Sequence, residues 1–154
     1  MTAANAGSAH DIEIRPFWLR VCAFGAAIVV LVVHTVTGFL LKAGSTGVVF
    51  QTSDQVAMGL LGVVIAGAIL LFTRPRLRIG SAGLTVRNLL GDRLIPWSEL
   101  SGVSFPASSR WARIDLPGDE YIPVMAIESI DKERAVAAMQ ELRAHLAQHR
   151  PDLV

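Results

Sequence analysis

Two stretches of the chain carry no charge: positions 21–41 and 55–73 hold 21 and 19 residues without Asp, Glu, Lys or Arg. At about 1.5 Å per residue, each makes a helix of roughly 30 Å, the thickness of a bilayer's hydrocarbon core. The first, VCAFGAAIVVLVVHTVTGFLL, is apolar almost throughout, and the second is QVAMGLLGVVIAGAILLFT. The pattern predicts helices at about 17–41 and 55–73, joined by the short loop AGSTGVVFQTSD, as a transmembrane hairpin over 15–73. Residues 74–154 offer too small a body to surround both helices in a soluble protein. A cleaved secretory signal is disfavoured because the first apolar run exceeds the usual length of about 7 to 15 residues.

Past Pro75 the period changes to two. Leu77 and Ile79 alternate with Arg76 and Arg78, and Leu84 and Val86 with Thr85 and Arg87, around a turn at 81–83. A turn region at Gly91-Asp92 leads into RLIPW, where Leu94 and Pro96 share one face and Ile95 and Trp97 the other. Pro96 has no N–H, so its strand lies at an edge or ends there. SELSGVSF reads as a short turn followed by a strand, PASSR as a loop, and WARIDLPGDEYIPV as a hairpin. The chain closes with a helix at about 130–149, with Ser129 as N-cap and Ala135, Ala138, Met139, Leu142 and Leu146 as its apolar stripe. The expected fold is membrane-anchored α+β. The two-helix hairpin precedes a small antiparallel β-barrel or sandwich of six or seven strands over 74–154, capped by the last helix. Residues 1–14, rich in Ala, Gly and Ser at the start, read as a disordered tail.

Composition agrees: 52% of residues are apolar and 18% charged, against about 25% charged in soluble domains. Arg15 and Arg20 precede the first span and Arg74, Arg76 and Arg78 follow the second, with only Lys42 and Asp54 between them. The positive-inside rule then places both termini in the cytoplasm, for a multi-pass protein of the cytoplasmic membrane. From Arg74 onward 11 basic residues face 10 acidic ones with the signs mixed, which argues against nucleic acid as a partner. Arg74, Arg76 and Arg78 are candidate membrane-surface contacts. Nothing supplies a nucleophile with its base or a phosphate-cradling loop, so no catalytic residue, metal or cofactor is expected. His10, His34, His145 and His149 give no third metal ligand, and the single cysteine, Cys22, lies in the first span. His34 is a candidate intramembrane polar contact. Gly59, Gly62 and Ala66 on the second span, with Cys22 and Ala26 on the first, give small faces for packing within the hairpin or in a homodimer. Trp111, after the PASSR loop, is a candidate contact for a protein partner.

The run LRIGSAGLTVRNLLGDRLIPWSELSGVSFPASSRWARIDLPGDEYIPVMAI resembles the bacterial pleckstrin-homology-like (PH-like) domain of the actinobacterial low molecular weight protein antigen 6 family. Gly83–Leu89, Pro96–Leu100, Arg110–Leu116 and Ile122–Ala126 fall where that family shows its strand-end and loop motifs, and the likeness spans roughly residues 74 to 130. Ser98-Glu99-Leu100 departs from the family's acidic pair. The resemblance implies a PH-like fold preceded by a membrane segment or hairpin, and little chemistry. The functional expectation is a non-enzymatic scaffold or interaction module at the inner face of the membrane, holding an unidentified protein partner beside the phospholipid bilayer. An anionic-lipid sensor and a small accessory subunit of a transport complex are the alternatives.

Overall fold

In the computed structural model, residues 12–43 and 50–153 are described. The expected disorder of residues 1–11 and half of the polar inter-helix loop, residues 44–49, lie outside them. The chain forms two compact units, one of Trp18–Thr73 and one that joins the segment up to Phe17 with Arg74–Val154.

The first of these contains α1 (Phe17–Ala43, starting one residue before it) and α2 (Thr52–Leu70), which runs on as a single 3₁₀ turn to Thr73. The second helix begins three residues before the expected position because Gln51 and Asp54 form a capping box. The Asp54 carboxylate accepts the Gln51 amide at 2.9 Å. Buried positions of the pair are small, namely Ala23, Ala27 and Gly38 on α1 and Gly62 and Ala66 on α2. Large apolar side chains such as Phe24, Val29, Val33 and Phe39 on α1 and Leu60, Val63 and Val64 on α2 are exposed instead.

The other unit holds two antiparallel sheets. Strands β1 (Ile12–Ile14), β2 (Arg76–Gly80), β3 (Gly83–Arg87) and β4 (Asp92–Pro96) form the first in that order, and β5 (Gly102–Ser104), β6 (Trp111–Asp115) and β7 (Tyr121–Glu128) the second. Strand β1 corrects the sequence reading, which left residues 12–14 in the tail. Ile12 pairs with Ile79 and Ile14 with Leu77, so the strand before α1 completes a sheet whose other members follow α2. Pro96 does end an edge strand, and Pro123 sits in the edge strand β7. Gly83, at φ +145°, meets Pro96 across the ladder, and a Cβ there would lie 2.1 Å from the Ile95 carbonyl oxygen.

Helix α3 (Glu133–His149) also departs from expectation at its start. Ser129 opens a one-turn 3₁₀ helix to Asp131, and Lys132, at φ +47°, breaks the chain direction before α3 begins. The expected stripe is the buried one: Ala135, Ala138, Met139, Leu142 and Leu146 join a single core with Leu77, Leu84, Ile95, Ile114 and Val124 from both sheets. The C-terminus is latched to the corner between the sheets. His149 stacks on Trp97 at 4.3 Å, and Arg150 Nη1 donates to the carbonyls of Trp97, Ser98 and Leu100 at 2.9, 3.3 and 3.2 Å. The Trp97 indole N–H reaches the Gly80 carbonyl at 3.1 Å, tying that corner back to β2.

Leu142 is fully buried, so Leu142→Ala should cost about 2–5 kcal/mol through lost burial and the cavity left behind. Val136→Ala, on the exposed face of the same helix, should stay within about 0.5 kcal/mol. Urea unfolding of the full-length protein in detergent micelles, followed by tryptophan fluorescence, checks both.

Candidate interaction site

The register of the first sheet brings four chain segments to one end of it. Ile14 pairs with Leu77, Arg76 with Arg87, and Arg87 with Asp92. The points at which the chain leaves for α1 and returns from α2 therefore sit side by side, with the β3–β4 turn beside them. On the outer face, alternation places Arg76 and Arg78 opposite the inward Leu77 and Ile79. Glu13 of β1 gathers these arginines: its Oε1 accepts from Arg15 Nε at 2.6 Å and lies 3.6 Å from Arg76 Nη1, while its Oε2 lies 3.5 Å from Arg78 Nε. Arg76 and Arg87 stand directly opposite one another, an unfavourable like-charge pair. Glu13 on one side and Asp92, bound by Arg87 Nε, on the other offset it. The hydrogen bond from Arg15 holds the Glu13 carboxyl below its ordinary 4.5, against the opposing effect of burial and helped by the charges of Arg15, Arg78 and Arg76.

The exit to α1 is pinned a second way. The buried Asp131 accepts the Phe17 amide at 3.0 Å, and the Arg134 guanidinium lies 4.0 Å from the centre of the Phe17 ring. Asp131, two residues before α3, thus holds the first residue of α1.

Of the residues singled out in the sequence, Arg76 and Arg78 come together through Glu13, and Arg74 is exposed just before β2. Trp111 is elsewhere, half-buried on β6 opposite Glu128. Glu128 is only 2% exposed; its Oε1 accepts from Arg110 Nε at 2.9 Å. Its Oε2 and the Trp111 indole N–H are buried with no hydrogen-bond partner among the described residues. An open apolar groove of about 740 Å³ runs beside α3, lined by Phe105, Lys132, Val136, Met139 and Arg143 among others. The sequence reading missed it because Lys132 and Phe105 are remote in the chain and no periodicity links them. In the helical unit, His34 Nδ1 bonds the Val30 carbonyl one turn back at 2.8 Å, and a Cβ on Gly62 would come within 2.8 Å of His34 Cβ. The ring is accommodated because Gly62 has no side chain.

Chemically, this arrangement offers cations, an exposed turn and apolar surface. Among the described residues, no group of three His, Cys, Asp or Glu side chains could hold a metal ion.

The bacterial PH domain family model matches residues 74–145. Uncharacterized proteins of Mycobacterium bovis and of two strains of Mycobacterium tuberculosis are each 66% identical over 153 residues, covering 99% of this chain and 98% of theirs. No solved structure matches the chain.

A depressed carboxylate stabilises the fold above its unfolded pKa, and that contribution is lost as pH falls through its folded one. The β1–β2 pairing should therefore weaken below pH 4.5. Hydrogen exchange at Ile12–Ile14, corrected for intrinsic rates, should rise on acidification in the natural protein. Glu13→Gln should show raised exchange already at pH 7 and lose the acid dependence.

Proposed function

The chain belongs to the bacterial PH domain family that it shares with these mycobacterial proteins, and on that premise we propose a membrane-anchored scaffold. In this reading α1 and α2 cross the cytoplasmic membrane, both termini lie on its inner face, and the non-catalytic PH-like unit holds a protein partner there. The observation that carries it is the pairing of β1 with β2 across the helical hairpin. Strands on either side of an anchor can pair only if both lie on the same side of the membrane, which supports an even number of crossings independently of the charge rule. Both helices are long and apolar enough to cross, and their outward-facing Phe, Val and Leu side chains suit lipid better than water.

The lipid-sensor alternative draws less support, because Arg76 and Arg78 share Glu13 rather than framing an open anion pocket. The transport-subunit alternative rests on His34, whose ring bonds its own helix and packs on Gly62.

Two measurements test the reading. In a Cys22→Ala background, Ser45→Cys in the inter-helix loop should react with a membrane-impermeant maleimide in intact cells, and Ser81→Cys only after permeabilisation. Labelling of Ser81→Cys from outside would reverse the topology. Photocrosslinking in native membranes should then recover a protein partner with the full chain and not with a chain ending at residue 80. Equal recovery by the bare hairpin would move the function into the helices.

A further inference from the structure

The β3–β4 turn is built from residues that turns seldom use. Asn88 donates its amide to the Gly91 carbonyl at 3.1 Å, closing a four-residue loop whose two central positions are Leu89 and Leu90. Turn centres are ordinarily Gly, Asn, Asp, Ser or Pro, each for a conformational reason. Leu90 instead projects into solvent with 94% of its surface exposed, the largest fraction among the exposed large apolar residues described. Leu94, on the same hairpin, is also exposed.

The turn is held firmly. Asn88 Nδ2 donates to the Pro123 carbonyl at 2.9 Å and its Oδ1 accepts the Met125 amide at 3.3 Å, so the second sheet braces the base of the loop. A braced turn carrying an apolar apex presents that apex in a fixed direction. The direction is set by the strand register: the turn lies at the end of the first sheet where β1 finishes and β2 starts. Only Arg15 and Pro16 separate β1 from α1, and only Arg74 and Pro75 separate the 3₁₀ turn after α2 from β2. At 3.8 Å per Cα step, linkers this short cannot carry that sheet end more than about 12 Å from Phe17, where α1 starts, or from Thr73, where the 3₁₀ turn after α2 ends. Strand spacing of about 4.8 Å puts β3 and β4 only about 5 to 10 Å to the side of β2. The same end carries Arg15, Arg74, Arg76, Arg87 and Arg93 against Glu13 and Asp92, an excess of positive charge suited to anionic headgroups.

We propose that Leu89 and Leu90 form an interfacial contact with the bilayer crossed by α1 and α2, with Leu90 at the boundary between headgroups and acyl chains. The proposal rests on the anchoring described above and deepens it: the PH-like unit would touch the membrane at a third point beside its two tethers, fixing its tilt and so which surfaces remain for a protein partner. A protein bound at the turn is the competing occupant.

The test uses the full-length protein with Cys22→Ala, reconstituted in phosphatidylcholine vesicles with or without phosphatidylglycerol. A polarity-sensitive fluorophore is attached through Leu90→Cys or, at the opposite end of the sheet, through Ser81→Cys; both sites are exposed. The label at position 90 should emit at shorter wavelength than that at 81. Lipids bearing a nitroxide near the headgroup end of the acyl chain should quench it several-fold more strongly, with the larger contrast in anionic vesicles. Equal, water-like emission at both positions in protein that resists alkaline carbonate extraction would overturn the inference while leaving the anchor intact. A blue-shifted label at 90 that the nitroxide lipids do not quench would overturn it in favour of a protein contact. Extraction of the protein by carbonate would remove the anchoring itself, and this contact with it.

Discussion

Three residues close the loop that contains both helices. The pairing of Ile12–Ile14 with Leu77–Ile79 brings together segments separated by the whole helical hairpin, and the layout of the PH-like unit follows from it. Closing a loop of that length carries an entropic cost that grows slowly with length, and a strand of three residues is a short ladder with which to meet it. Its reinforcements are visible: Ile12 and Ile14 pack against the core, Glu13 gathers three arginines, and Asp131 and Arg134 hold Phe17 just beyond the strand. Without β1, strand β2 would become an open sheet edge, with unpaired backbone groups and the flank of Leu77 and Ile79 uncovered. A fragment beginning at residue 74 is therefore not equivalent to the folded unit, although the family match itself begins there.

The unit is also tied at its other terminus. His149 and Arg150 bind the corner at Trp97–Leu100, where the chain passes from the first sheet to the second, and Trp97 in turn reaches back to Gly80. Strand β1 and the residues that end α3 thus brace the same first sheet. The charged groups at these ties are mostly shared or capped, so the surface left for recognition among the described residues includes the sheet end with its leucine turn and the groove beside α3.

Much of this was legible in the sequence, and the failures have physical causes. Period-two alternation located β2, β3, β4 and β6, because one face of each is buried while the other meets solvent. Charge-free runs located the helices. The segment IEI was invisible as a strand because three residues carry no measurable period and its partner lies beyond both helices. Ser129 was a reasonable cap by residue type, but Lys132 takes a positive φ and the helix starts after it. Of the arginines chosen at the junction, Arg76 and Arg78 meet through Glu13, a residue no local pattern connects to them. Leu90 drew no attention in the sequence because an apolar residue between two strands reads as strand; only the register shows it to be the apex of a turn.

If α1 and α2 cross the membrane as proposed, the hairpin also imposes an order on biosynthesis. Strand β1 leaves the ribosome first and has no partner until both helices and the start of β2 have followed. At about 5–20 residues per second, the roughly 60 intervening residues keep it waiting for several seconds. If one helix failed to cross, β1 and β2 would be stranded in different compartments and the first sheet would remain three-stranded. If both cross, the sheet closes. On that topology the fourth strand of the first sheet is a readout of whether both helices have crossed, because β2 keeps an open edge until β1 reaches it.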